Sequence, residues 1–273
     1  MNELKKKLAD LHVHSSASDG ELTPRKVVEK SQDAELKAIG IVDHDTIDGL
    51  SKAIEAGKEL GIEVIPGVEI SCELNKKEIH ILGYLINWKN KKLIEKLKEF
   101  QKARTKRAKK MISKLQDLGM EIDYDEIAEK AGSGAVGRPH IARVMIEKEY
   151  VESMEEAFNE YIGIECPAYA KKYQLKPKEG IELIRSAGGV PILAHPIYGS
   201  EKELPDLIKA GIQGIEVYHS QHSEEDVNRL KKVAEKKDLL ITGGSDSHGG
   251  NPSIGSVTID YRHVEKMKKK ANM

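Results

Sequence analysis

The stretch Asp10-Leu11-His12-Val13-His14 sets two histidines two positions apart. On a β-strand that spacing turns both imidazoles to one face, where they can clasp a single metal ion. Other potential ligands recur along the chain: Asp19, in a turn closed by Gly20; Asp43-His44-Asp45; Glu69 after Gly67-Val68; His80; and His195-Pro196. Two further groups follow, Glu216-Val217-Tyr218-His219 and Gly244-Ser245-Asp246-Ser247-His248. The chain has 10 His, and six of them (His12, His14, His44, His80, His195, His248) occupy these places. A lone histidine is ordinarily a surface or satisfied core residue. Six of them with acidic companions at the ends of successive apolar runs point to a metal cluster. Imidazole mixed with carboxylate suits Mn, Fe or Zn better than Mg or Ca. The absence of a thiolate among them excludes a cysteine-type structural zinc site. Divalent ions held this way would activate a water as nucleophile and act as Lewis acids on an oxygen of the substrate. No serine or cysteine nucleophile is needed, and no GxSxG elbow or phosphate-binding P-loop is present.

These residues require strands to carry them. Apolar runs at Leu8–Val13, Ala38–Val42, Ile62–Ile65, Ile79–Ile86, Val190–Ala194, Gly214–Tyr218 and Leu239–Thr242 read as seven short strands. Helical patterns separate most of them. One opens on Thr23-Pro24, an N-cap followed by a first-turn proline, and runs to about Lys37. Others span about Asp48–Leu60, Pro177–Ala187, Lys202–Ala210 and Glu224–Lys236. Alternation of this kind predicts parallel pairing with right-handed crossovers, hence a distorted, TIM-like, seven-stranded β/α barrel. In such a barrel the strand ends converge on one rim, where the histidines and acids would meet.

From about Lys89 to Tyr173 no strand pattern is found. Leu93, Leu97, Phe100, Met111, Leu115 and Leu118 mark one long amphipathic helix, with shorter helices near Asp123–Ala131, Arg138–Glu147 and Ser153–Ile162. Because βα units lie on both sides, the expected organisation is a barrel of residues 1–88 plus 174–273, with 89–173 as a helical insertion domain that caps the substrate. The long helix is basic. Between Lys89 and Lys114 stand twelve Lys or Arg and only two acids, Glu95 and Glu99. That face is either solvated and offset by acids elsewhere, or a track for a nucleic-acid backbone, with Arg104 and Arg107 turned inward.

Overall charge narrows the class further. With 44 Lys+Arg against 45 Asp+Glu, a globally basic nucleic-acid binder is excluded, and 4% aromatic content disfavours a base-stacking platform. No apolar stretch approaches the ~18 residues of a membrane span, and the basic N-terminal residues lack the apolar core of a secretory signal. Cys72 and Cys166 cannot form a disulfide framework, so a reducing, cytoplasmic setting is expected.

The segments DLHVHSSASDG, IVDHDT, GVEIS, HILGY, LAHP and GSDSHGG, in that order, resemble the polymerase and histidinol phosphatase (PHP) family. The resemblance covers the whole chain, including GRPHIAR in the insertion, and is strongest toward its stand-alone phosphoesterases acting on nucleotides and short RNA. Val42 departs from the threonine that many relatives carry before DHD, but it is not a ligand position. The resemblance implies three metal ions. His12, His14, Glu69 and Asp246 would hold the first, and Asp19, His44 and His248 the second. Glu69, His80 and His195 would hold the third, with Glu69 bridging. It also implies a metal-activated hydroxide attacking phosphorus, on a phosphorylated small molecule or oligonucleotide, with no membrane and no obligate protein partner.

Around those ligands, Arg138 and His140 begin a predicted helix, and a helix N-terminus plus arginine is a phosphate clamp. Arg138 could equally be a surface residue, and the resemblance favours the clamp. Asp10, Asp43 and Asp45 are candidates to orient ligand imidazoles, although Asp43 could instead close a turn. His219 and His222 are candidates for the pocket wall. A histidinol-phosphate-type phosphatase, an amidohydrolase or a non-catalytic PHP module are the competing readings. The insertion disfavours the first. The Glu69–His80–His195 set disfavours the second. The full complement of ligand residues disfavours the third.

Overall fold

In the computed structural model, residues 7–75, 77–131, 136–171, 175–196 and 200–271 are described. Eight strands form one sheet: β1 (Leu8–Val13), β2 (Ala38–Ile41), β3 (Glu63–Leu74), β4 (Lys77–Tyr84), β5 (Val190–Leu193), β6 (Gly214–His219), β7 (Leu240–Gly244) and β8 (Ile259–Asp260). Their order is β7-β6-β5-β4-β3-β2-β1-β8. The two ends of the row curl toward each other. Past β7, Asp246 N–H donates to His12 O at 2.8 Å, and His14 N–H donates to Ser247 O at 2.9 Å. The barrel is thereby nearly closed at the rim that carries the HxH pair.

Two features differ from the sequence expectation. The sheet holds eight strands rather than seven. The additional β8 is a two-residue piece pairing antiparallel with Leu8 and Ala9, too short to leave a period-two pattern. Nor is the pairing uniformly parallel, since β4 runs antiparallel to both β3 and β5. β3 continues to Leu74, and only residues 75 and 76 separate it from β4, so the connection is a hairpin with no room for a crossover helix. This reversal has a consequence for function. His80, early in β4 and paired with Ser71, arrives at the same rim as the C-terminal ends of the parallel strands.

Helices α1 (Pro24–Asp33), α2 (Leu50–Leu60), α7 (Pro177–Ser186), α8 (Leu204–Ala210), α9 (Glu224–Lys236) and α10 (Arg262–Ala271) accompany the barrel. α1 is capped by Thr23, whose side chain accepts from Lys26 N–H, and it ends four residues before Lys37. The barrel interior is filled by Ala9, Leu11, Ala38, Val42, Ile65, Leu82, Tyr84, Val190 and Ile192. Val27, Val28, Ile39, Ile41, Leu50 and Ile184 belong to the outer layer. Burial on both faces explains why the parallel strands read as continuous apolar runs.

The middle of the chain is helical: α3 (Lys91–Asp117), α4 (Tyr124–Ala131), α5 (Arg138–Glu147), and α6 (Met154–Glu156) running into a π-helical stretch, Ala157–Ile162. Its core contains Met111, Ile112, Leu115, Ile127, Ile141, Val144, Met145 and Ile162. Leu93, Leu97 and Phe100, from the first half of α3, instead join the barrel cluster. The long helix therefore belongs to both cores, and its central turns lie where they meet. Residues 172–174, at the expected second boundary of the insertion, lie outside the described residues. No helix among the described residues is long and apolar enough to cross a membrane.

Candidate metal centre

The nine sequence-predicted ligands converge. His12 and His14 project together from β1, as the period of two requires. His14 Nε2 lies 3.2 Å from both Glu69 Oε2 and Asp246 Oδ1. Glu69 Oε2 is 3.1 Å from His44 Nδ1 and 3.4 Å from His12 Nε2. Its other oxygen, Oε1, is 2.9 Å from His80 Nδ1 and 3.2 Å from His195 Nε2. Asp19 Oδ1 is 3.4 Å from His248 Nε2, and Asp19 Oδ2 is 4.0 Å from His44 Nε2. Glu69, 1% exposed, thus stands in the middle, with five imidazoles on one oxygen or the other.

Backbone conformation helps to aim these groups. Asp45, His195 and Asp246 have φ of 53°, 24° and 57°, the left-handed region that a side chain makes costly. All three sit just past strand ends at this rim, and such strain is held only where the surroundings fix it. Gly244 is equally determined by position. A Cβ there would lie 2.2 Å from His12 N, so only glycine lets the end of β7 approach β1.

Electrostatics matches a cation site. Burial would raise the carboxyl of Glu69, but His44, His80 and His12 hold it well below the usual range. Burial likewise opposes Asp19 and Asp246, which their histidine neighbours keep well below normal. Burial works against charge on His14 too, yet Asp246 and Glu69 bring it up to about 10. His80 is up to about 9 against the same burial, through Glu69 and Glu78. His44, by contrast, is pushed by burial down to about 3 and stays neutral. Protons on imidazole here do the charge compensation that a divalent ion can do.

Several buried donor atoms are orphaned. His14 Nδ1 and Nε2, Asp19 Oδ1 and His44 Nδ1 have no hydrogen-bond partner. Buried polar atoms are normally paired, and these lie close together at the barrel rim. Four groups have ligand atoms within 4.8 Å of one another: His14, Asp19, His44 and His248; His12, His14 and Asp246; His44, Glu69 and His80; and His12, Glu216 and His219. The donor set fits divalent cations.

A cavity of about 210 Å³ opens over the cluster. Asp19, His44 and His80 face it from the barrel, and Arg104, Arg107, Arg138 and Phe158 from the helical region. Arg138 lies over the Phe158 ring at 5.1 Å and 3.7 Å from Glu78 Oε2. Burial, aided by the charge of Arg138, brings Arg107 down to about 10, still a cation at neutral pH. Arg104 is tied to Asp45 Oδ2 through Nε at 2.9 Å and Nη2 at 2.6 Å. Three guanidiniums thus crowd one cavity.

The remaining sequence candidates take other positions. Asp10 accepts from the backbone N–H of Ser245 and Gly255 and from Ser245 Oγ, at 2.7–2.9 Å. Asp43 accepts from Ser15 N–H, Ser15 Oγ and Ser18 Oγ, each at 2.7 Å, and so closes the turn after β1. Asp45 holds Ser71 N–H besides Arg104. The hydrogen bonds described for Asp10 and Asp43 go to backbone and hydroxyl groups, and those of Asp45 include a backbone amide and a guanidinium. His140 is buried, and its Nδ1 accepts from Gly137 N–H as a cap on α5, so that nitrogen is not available to a substrate. His219 Nε2 is 3.3 Å from Asp246 Oδ2, and His222 Nδ1 is 2.8 Å from Val217 O. Glu216 belonged to a strand-end group that the sequence singled out, but it was assigned no role there. Its carboxylate, fully buried, meets His12 Nδ1 at 3.0 Å. The available signal was its parity: in Gly214–His219 it faces inward, where an apolar residue is expected.

Comparison with known proteins agrees with this geometry. The PHP domain family matches residues 10–270. A 5′-3′ exoribonuclease of Haemophilus influenzae is 34% identical over 88% of this chain and 89% of its own length. A 3′,5′-nucleoside bisphosphate phosphatase of Chromobacterium violaceum is 30% identical over 94% and 92%. A solved structure from Bifidobacterium adolescentis, provisionally assigned as a metal-dependent phosphoesterase, superposes with a TM-score of 0.89 at 30% identity, covering 96% of each chain.

Proposed function

Because the chain belongs to the PHP domain family, we propose that it is a metal-dependent phosphoesterase acting on nucleotide phosphate esters, nucleoside bisphosphates or the 5′ ends of short RNA. The observation that carries this reading is the cavity, which has a cation-binding floor and a wall of three arginines. A floor alone would serve many hydrolases, whereas the wall demands an anionic substrate.

In this reading three ions are bound. His12, His14, Glu69 and Asp246 hold one; Asp19, His44 and His248 a second; Glu69, His80 and His195 a third. Mn, Fe or Zn suits the donors. When bound, such ions supply Lewis acidity to phosphoryl oxygens and acidify water near neutral pH.

The chain's own residues do the rest. Arg104 is fixed by Asp45 and so offers its charge at a set place with little entropy left to lose. Arg107 and Arg138 repel each other in the free protein, and an arriving phosphate relieves that repulsion. Phe158 shields one face of Arg138 from water and strengthens its pull on an anion. Residues 89–173 act as a capping domain that brings the arginines over the barrel rim, and their placement selects substrates with more than one phosphate or with a phosphodiester.

The test is a phosphate-release screen of manganese-loaded, metal-quantified protein. It would cover adenosine 3′,5′-bisphosphate, mononucleotides, 5′-phosphorylated oligoribonucleotides and histidinol phosphate. Turnover of the bisphosphate or the oligonucleotides is expected. Preference for histidinol phosphate, or no release from any nucleotide, would overturn the assignment.

A further inference from the structure

We infer that Glu216 is a positioning residue that braces ligands of two different metal ions at once, a role that rests on the ligand assignment above. Its carboxylate is fully buried in β6. Oε1 and Oε2 lie 3.0 and 3.2 Å from His12 Nδ1, and Oε2 also accepts the backbone N–H of His195 at 2.9 Å. A carboxylate is an acceptor only, so the shared hydrogen must sit on His12 Nδ1. With a metal ion bound, the other ring nitrogen, Nε2, would be the free ligand atom; it faces Glu69 and Asp246 at 3.4 Å. The second contact works on backbone. His195 has φ 24°, a strained conformation for a non-glycine residue, and Glu216 pins its N–H. One side chain therefore fixes the ring of His12 and the main chain that aims His195 at Glu69.

Substitution by glutamine separates this role from mere packing, because the volume is kept. With its amide oxygen retained toward His195 N–H, its NH₂ faces His12 Nδ1 and donates to it. The hydrogen on His12 is then driven to Nε2, and the lone pair needed for a ligand is lost. With the amide reversed, His12 keeps its tautomer but the His195 N–H meets a donor. Either way one ligand is misplaced. Outer partners of this kind change metal affinity by about 10–100-fold.

The experiment is a competitive chelator titration with zinc, comparing the wild-type chain and Glu216→Gln, with stoichiometry read by elemental analysis and folding by thermal unfolding of the metal-free proteins. The expected result is a roughly tenfold to hundredfold weaker zinc affinity, or one ion fewer per chain, in a variant that still unfolds cooperatively. Wild-type affinity and stoichiometry in the variant would overturn the inference. Failure of the wild-type chain itself to bind zinc would instead overturn the ligand assignment beneath it. Should Glu216→Gln not fold, nitrogen-15 histidine spectra of the zinc-loaded wild type decide the matter. His12 protonated at Nδ1 and bare at Nε2 supports the brace, and the opposite tautomer refutes it.

Discussion

Replacing Arg138 by alanine isolates the arginine wall from the metal floor. Arg138 sits in α5, outside the barrel, and reaches the cavity with its guanidinium over Phe158. Its ion-pair partner among the described residues, Glu78, is at 3.7 Å, beyond a good hydrogen bond, so little must be broken to receive a phosphate. A charge-assisted pair to phosphate is worth ~1.5–3 kcal/mol. At 1.36 kcal/mol per factor of ten, kcat/KM falls roughly tenfold to a hundredfold. Loss of the repulsion on Arg107 offsets part of this and places the result toward the lower end for a small substrate. Arg138→Lys should recover only a fraction, since it keeps the charge and loses the planar fork. The assay is steady-state phosphate release from adenosine 3′,5′-bisphosphate, with bound metal quantified in each protein. Metal content should be unchanged. Unaltered kcat/KM in the alanine variant would refute the clamp, and parallel loss of metal would show that the residue acts through the floor instead.

Other perturbations address the floor and its scaffold. His14→Ala or Asp246→Ala removes a metal ligand, so turnover should drop by several orders of magnitude together with a loss of bound metal; near-normal hydrolysis in metal-quantified protein would sink the assignment. The metal-free chain should lose stability as pH rises from about 6.5 toward 10. His14 and His80 hold protons to about 10 and about 9 when folded, whereas unfolded imidazoles have already released theirs, and His44 is neutral in both states across that window. A flat or rising melting temperature between those pH values would contradict the proton-compensated cluster. By the same accounting, metal binding at neutral pH should release protons, measurable as a buffer-dependent heat of binding. Gly244→Ala puts a methyl group 2.2 Å from His12 N, so β7 must withdraw from β1. A destabilisation of about 1–3 kcal/mol with weakened metal binding is expected, and wild-type melting and metal content would refute the close-approach argument.

Much of this site was legible in sequence because its residues break local rules in a regular way. His12, His14, His44 and Glu69 stand where apolar runs end, and polar side chains at such positions have few roles other than ligation. The apolar runs themselves were readable because parallel strands are buried on both faces. What escaped notice depended on tertiary pairing. The β3–β4 hairpin and β8 carry no distinctive period, and the antiparallel course of β4 follows from a two-residue connection that a strand pattern ending at Ile65 obscured. The role of Glu216 was hidden for a related reason. Its significance lies in which nitrogen of His12 it faces, 204 positions away, and no spacing in the chain encodes that. Asp10 and Asp43 illustrate the converse. Their position near ligand histidines suggested contact with rings, but their carboxylates tie down the loops that carry Asp246 and Asp19.

The same contrast bears on how substrate choice arises. The proposed metal ligands sit on strands or in the turns just past their ends, on a barrel whose interior and outer layers are both packed. The arginines sit on α3 and α5, whose shared core is separate from the barrel clusters. Only α3 contributes buried side chains to both, with Leu97 and Phe100 on one side and Met111 and Leu115 on the other. Arg104 and Arg107 lie between those pairs, and the Arg104–Asp45 contact ties the helix directly to the β2 end that carries His44. Arg138, two helices further on, reaches the barrel through a longer contact, to Glu78 of β4 at 3.7 Å. On the proposed function, chemistry at the attacked phosphorus would depend on the barrel part, and discrimination between a second phosphate on one nucleoside and the next phosphodiester of an RNA would fall to the helical part. Substitutions in the α5 core, such as Val144→Ala, should accordingly shift the ratio of bisphosphate to oligonucleotide turnover while leaving metal content intact. A change of equal size in both activities would show that the helical part moves with the barrel as one unit.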